Sequence, residues 1–172
     1  MKDKILGSKR IGIFIGQAPP EKNYDIPFAK TRLYDWFEQC GLDKNSLLNL
    51  FEFDALVDKF PGKKNKQHLE PSEKDILNHI PWLLKKIQKQ KIKLVVPVGK
   101  LAIQYVFNNF DIELDKVIGK KYSINLFGKS VAISVIPLPH PSGLSTWSFN
   151  KKNRLLLNNA LKLIQSFVLS NK

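Results

Sequence analysis

Cysteine is nearly absent from this chain: Cys40 is the only one in 172 residues. That excludes an internal disulfide and any metal or cluster site built from several cysteines. No apolar run approaches the length of a membrane span. The first residues, Met1-Lys2-Asp3-Lys4-Ile5, lack the long apolar core of a secretory signal. The expectation is a cytoplasmic protein with no membrane partner. Acidic residues are also scarce, 15 Asp and Glu against 28 Lys and Arg, for a net charge of +13. Such a surplus attracts polyanions, nucleic acid foremost. Lys greatly outnumbers Arg, however, and a lysine-rich solvated surface would give the same count. Charge alone leaves both readings open. Internal repeats and low-complexity segments are missing as well.

The apolar fraction is an ordinary 43%, and the length suits one domain, residues 1–172, with a real hydrophobic core. Ile11-Gly12-Ile13-Phe14-Ile15 reads as a central strand that exits into Gly16-Gln17-Ala18-Pro19-Pro20. Such an exit is where parallel sheets hold ligands. Thr31 to Cys40 has helical spacing, with Leu33, Trp36, Phe37 and Cys40 on one face and Gly41 as terminator. Leu47 to Phe53 is a second strand candidate, and the basic stretch from Lys63 to His68 reads as a surface loop. Ser72 and Asp75 form a capping-box-like start for a helix to about Gln90, its buried stripe being Ile76, Ile80, Leu83, Leu84 and Ile87.

Ile92 to Val98 is a third strand, and Gly99 turns the chain into a helix from Lys100 to about Asn109. Tyr122 to Phe127 and Val131 to Ile136 pair as a hairpin about Gly128-Lys129. Lys151 to Val168 is a terminal helix, with Leu155, Leu156, Asn159, Leu163 and Phe167 near one face. Strands alternating with helices predict an α/β fold, a three-layer αβα sandwich around a mostly parallel sheet. Before that last helix comes Leu138-Pro139-His140-Pro141-Ser142-Gly143-Leu144. Two prolines stiffen the loop, and a histidine held on it at a strand end is well placed for chemistry. His68 and His79, by contrast, read as surface or helix residues.

Gly16-Gln17-Ala18-Pro19-Pro20 and His140-Pro141-Ser142-Gly143-Leu144 resemble the paired motifs of the uracil-DNA glycosylase superfamily. Between them Pro27-Phe28, Cys40-Gly41-Leu42, Phe60-Pro61-Gly62, Pro71 with Glu73, Trp82-Leu83 and Val98-Gly99-Lys100-Leu101-Ala102 follow in the order of its iron–sulfur branch. The resemblance covers nearly the whole chain. The departures are specific. That branch needs four cysteines where this chain has one, so no cluster and no other cofactor is expected. The cluster branch has a Glu where Gln17 stands, and the best-known branch has a water-positioning Asp where Ala18 stands. Asp54 takes the place of the uracil-reading Asn.

The resemblance implies a monofunctional glycosylase acting on DNA with a damaged base, as a monomer. His140 would donate to the base oxygen as negative charge builds there, with backbone N–H groups at Gln17 and Ala18 assisting. Phe28 would stack on the base. Ser142 and Gly143 would hold phosphates, Gly99 and Lys100 would lie against DNA, and Leu144 would wedge into the minor groove. Gln17 is a poor base for the attacking water. Asp25 and Glu21 share its loop, and Asp25, near Phe28, is preferred. An ionised Asp54 only accepts hydrogen bonds. Either it is protonated when uracil binds, or Asn49 is the reader, or the preferred base is not uracil, or Asp54 simply faces solvent at the strand end. Trp147 and Phe149 read as cover for the core edge or, alternatively, as contacts to DNA. A non-catalytic DNA-binding relative and an enzyme of free nucleosides are the alternatives from other classes.

Overall fold

The computed structural model describes residues 9–143 and 145–171. Its centre is a five-stranded sheet: β1 (Gly12–Gly16), β2 (Phe51–Ala55), β3 (Leu94–Pro97), β4 (Tyr122–Asn125) and β5 (Ala132–Val135). The spatial order is β2-β1-β3-β5-β4. All neighbours run parallel except β4 and β5, which form the antiparallel hairpin expected around Gly128-Lys129. A separate exposed ribbon pairs Lys63–Lys64 with Gln67–His68, so the basic segment expected to be a plain loop is a small hairpin. Its Lys63 is ion-paired with Glu21 from the loop after β1.

The helices are α1 (Leu33–Gln39), α2 (Lys44–Leu50), α3 (Glu73–Lys89), α4 (Lys100–Phe107), α5 (Leu114–Val117) and α6 (Lys151–Leu169). They lie on both sides of the sheet because its strands are apolar on both faces. Side chains alternate along a strand: Phe14, Leu94 and Val96 join one core with α1, α2 and α6, while Ile13, Ile15 and Val95 join another with α3 and α4. β1 is buried at all five positions, as a central parallel strand should be. The three-layer α/β sandwich read from the alternation is the observed fold.

Two further elements differ from the sequence reading. Leu47 to Leu50 is helical, and the strand starts only at Phe51. Asp43 caps α2 by accepting from Ser46 N–H at 3.0 Å, a local signal that outweighs the strand-like run of leucines. In α6 the buried stripe is Leu157, Ala160, Leu161, Ile164 and Val168. Leu156, Leu163 and Phe167 are only partly buried, and Leu155 and Asn159 are exposed. The α3 reading holds at its start and for most of its stripe: Ser72 Oγ accepts from Asp75 N–H and donates to its carboxylate, and Ile76, Ile80, Leu83 and Ile87 are buried, while Leu84 is only partly buried.

Strand order decides where a ligand can sit. From β1 the chain passes to β2 on one side and then to β3 on the other. Connections leaving in opposite directions open a crevice at the carboxyl ends of the strands. Gln17, Asp54 and the residues after Pro97 and Val135 all emerge at those ends.

Candidate active site

A cleft of about 1090 Å³ opens there. The Gln17 loop, the Phe28 segment, the end of β2, the small hairpin, α3 and His140 all line it.

His140 is placed by the sheet. Past β5 the ladder continues: Leu138 N donates to Pro97 O and Gly99 N to Leu138 O, each at 2.9 Å. The histidine therefore leaves a rigid strand end between Pro139 and Pro141. Gly99 has φ +89°, and a Cβ there would sit 3.3 Å from His140 Cδ2, so glycine is needed both for the turn and for the close approach. His140 Nδ1 accepts from Ser142 N–H at 3.2 Å. In the neutral ring that bond leaves the proton on Nε2, which becomes the donor. Desolvation of the ring by the surrounding atoms lowers the His140 pKa from its usual 6.5 and favours this neutral form, while the residue as a whole is exposed.

Phe28 sits across the Gln17 loop. Its φ of 54° is left-handed, a costly conformation for a bulky residue. Thr31 sustains it, donating to Phe28 O from N at 3.1 Å and from Oγ1 at 2.8 Å. The ring lies against Gly16, where a Cβ would approach Cζ to 3.3 Å, and 6.3 Å from Phe53. Arg32, unnoticed in the sequence, ties this segment to the histidine loop. Its N donates to Pro141 O at 3.0 Å, and its guanidinium reaches Ser142 O at 3.3 Å and Ser145 O at 3.5 Å. It also lies 5.8 Å from the ring centre of the exposed Phe149. The signal available was its rarity, as one of three arginines.

The β2 end carries a second polar group. Asp54 lines the cleft with its side chain 15% exposed. Its Oδ2 takes Lys86 Nζ at 2.7 Å and its Oδ1 takes Ala55 N–H at 2.9 Å. Lys86 also pairs with Glu52 at 3.3 Å, and Glu52 with Arg10 at 3.2 Å. Burial alone would lower the Lys86 pKa, but Asp54 and Glu52 together raise it above the ordinary value. His79 and Trp82 of α3 stack 5.0 Å apart and line the same cleft. His68 of the hairpin lines it too. Both histidines read as surface or helix residues in the sequence; only the tertiary fold folds α3 and the hairpin over β2.

Gln17, Ala18, Phe28, Asp54 and His140 are thus gathered in one cleft. Asp25 is not: it is exposed and outside the lining. Asn49 lies on α2, also outside the lining, because the strand begins two residues later. Ser142 and Gly143 stand beside His140, and nothing lies within 4 Å of a Cβ built on Gly143. Lys100 opens α4 and lines a separate cleft of about 390 Å³ that includes Trp147. Leu144 lies outside the described residues. A four-cysteine cluster does not fit the residues present. Cys40 is half-buried at the end of α1 with Sγ 3.2 Å from Phe37 O, and no group of three or more His, Cys, Asp or Glu among the described residues could hold a metal. Among the described residues no helix is long and apolar enough to cross a membrane.

Two relatives named Type-4 uracil-DNA glycosylase are similar to this chain. The one from Saccharolobus solfataricus is 28% identical over 147 residues, covering 78% of this chain and 62% of its own length. The one from Archaeoglobus fulgidus is 28% identical over 141 residues, covering 77% of this chain and 65% of its own length. The chain thus spans less than two thirds of either relative. A family model, that of the uracil DNA glycosylase superfamily, matches residues 10–162. That match runs from the residues before β1 into α6, through both loops that carry the cleft, and the chain belongs to the uracil-DNA glycosylase superfamily.

Proposed function

We propose that the protein is a monofunctional DNA glycosylase that hydrolyses the N-glycosidic bond of a flipped-out uracil and leaves an abasic site. One observation carries this reading beyond the family: Ser142 N–H occupies His140 Nδ1 and makes Nε2 a fixed, neutral donor in the cleft. As the C1′–N1 bond breaks, the sugar gains oxocarbenium character and the base leaves as an anion. A pre-placed donor on the base oxygen favours that state over the intact substrate. Water adds to C1′, and a proton from solvent neutralises the departing base.

Phe28 supplies the stacking face for the extruded base. Gln17 orients the water through its amide, and backbone N–H groups at Gln17 and Ala18 assist. Asp25, exposed outside the cleft, is no longer the preferred choice for that water. Ser142 and Gly143 engage phosphate, and Leu144 fills the gap in the duplex. The motifs place no lysine for Schiff-base chemistry, so the strand is left intact, although Lys30 lines the cleft. The chain acts as a monomer without a cofactor, in the cytoplasm.

The test is incubation with labelled oligonucleotides bearing one uracil, hypoxanthine, xanthine or unmodified cytosine, read as alkali-labile abasic sites. Uracil should be released, and His140→Ala should slow release about 10²–10³-fold, the usual cost of losing one anion-stabilising donor. Release untouched by His140→Ala would overturn the role of the histidine. A second reading, a lesion-binding protein without activity, is favoured by one observation: the Gln17–Pro20 turn brings no carboxylate to the cleft. Tight lesion-selective binding with no abasic product would establish it.

A further inference from the structure

The cleft is larger than one flipped base needs. Its volume of about 1090 Å³ exceeds the roughly 300–1,000 Å³ of a pocket for a drug-sized ligand, and uracil is a single ring. Phe28 and His140 account for that ring. The walls given by α3 and by the segment after the small hairpin have no part in the proposed chemistry. There and on the loop before Phe28, large apolar side chains stand open: Trp82 is 50% exposed, Leu69 41% and Tyr24 38%, and all three line the cleft. They are three of the eight large apolar side chains left exposed among the described residues. One such side chain is ordinary; a group of them in one cleft marks a binding surface.

Trp82 is also held still. It lies off the buried stripe of α3. His79, a turn earlier, stacks on the indole with ring centres 5.0 Å apart and planes 23° apart. Lys86, a turn later, lies 5.2 Å from the ring centre and is itself fixed by Asp54 and Glu52. A ring ordered beforehand loses little freedom when it takes a partner. The partner that suits a flat, pre-ordered indole is another flat ring, and every nucleobase offers one. The placement of charge agrees. The carboxylates of the cleft, Asp54 and Asp58, do not favour phosphate. The exposed cations belong to the segments that carry the apolar side chains: Lys30 lies over the Tyr24 ring at 5.3 Å, and Lys64 and Lys66 are on the hairpin that leads into Leu69. Apolar walls for bases beside cations for the backbone are how proteins hold single strands.

We infer that Trp82 is the platform of a second subsite, which stacks an unpaired base of the strand that carries the flipped nucleotide, so that single-stranded DNA is the preferred substrate. In a duplex the neighbouring bases are paired and stacked on one another and do not reach the indole. A duplex is still served by extruding the target alone, with the Trp82 platform left empty. The inference rests on the glycosylase reading for the flipped base, but the stacking is measurable without catalysis.

The experiment uses the whole chain and a labelled, uracil-free thymidylate oligonucleotide, single-stranded or paired with its complement. Fluorescence anisotropy gives the affinities, and quenching of tryptophan emission reports stacking. The single strand should bind about tenfold tighter than the duplex or better. Trp82→Ala should weaken single-strand binding about tenfold, the usual scale for one lost base–aromatic stack, and leave duplex binding unchanged. Trp82→Phe should keep most of the affinity while the quench falls sharply. Circular dichroism confirms that each variant is folded. No preference for the single strand, affinity unchanged in Trp82→Ala, or equal losses on both forms would each overturn the inference. The same proteins are then assayed for abasic product from uracil in a single strand and in a duplex. Trp82-dependent single-strand binding with no abasic product from either would sink the glycosylase reading and leave the stacking subsite. Abasic product formed equally fast from both, in the wild type and in Trp82→Ala, would do the reverse.

Discussion

The role proposed for His140, donation from a neutral ring, needs its tautomer and its titration set together. At His140 the Ser142 N–H sets the first and desolvation sets the second, moving the pKa below 6.5. The expected consequence is an activity profile that stays flat as pH falls through 6.5, with its acid limb below that value. A limb at or above 6.5 in initial rates of uracil release would contradict it. Stability follows the same shift. The unfolded chain takes the proton first, so His140 destabilises the fold as pH drops below 6.5, and the penalty stops growing once the folded ring is also protonated. Gly99→Ala makes a sharper test of placement. The new side chain meets φ +89° and His140 Cδ2 at once. Strain of about 1–3 kcal/mol is expected, along with a loss of kcat larger than the loss of stability would explain. Thermal denaturation beside single-turnover rates separates the two.

At the level of elements, the sequence was readable where a local rule and the global pattern agreed. Ser72 and Asp75 marked the start of α3, and the hairpin about Gly128 and the exit at Gly16 were plain. α6 was readable as a helix but not in its phase. Leu155, Leu156 and Leu157 are consecutive, so hydrophobicity alone supports more than one stripe. The layer beneath, with Phe37 and Leu42, selects Leu157, Leu161 and Ile164. Gln165 Nε2 donating to Cys40 O locks that choice. The two stripes make opposite predictions. Leu161→Ala should cost about 2–5 kcal/mol as a core truncation, while Leu155→Ala, 58% exposed, should stay within about 0.5 kcal/mol. Urea denaturation of both variants decides it. The same limit hid His79 and Lys86. Their spacing on α3 says only that they share a helix; that they meet Asp54 depends on how α3 packs over β2. Arg32 was invisible for a like reason, since its acceptors lie more than a hundred residues on. Arg32→Met should leave α1 folded and loosen Ser142, Gly143 and Ser145. Hydrogen exchange there should rise while exchange in α6 is unchanged.

For the whole molecule the undecided quantity was the charge. A net +13 fits a DNA-binding protein and a merely lysine-rich one equally well until the cations are located. The fold resolves part of this. Lys86 and Arg10 are committed to Glu52 and Asp54, and Lys63 to Glu21, so not every cation is available to phosphate. If the remainder engages DNA, binding must release counter-ions, and log K should fall linearly with log salt at about 0.9 per phosphate neutralised. Binding of free uracil in the same cleft releases none and should barely respond. The two titrations therefore separate a DNA enzyme from an enzyme of free nucleosides without any assay of catalysis. A steep slope for a uracil-containing duplex beside a flat one for the free base is the expected result. Two flat slopes would mean that the basic surface is solvated lysine, and that the cleft serves a small substrate.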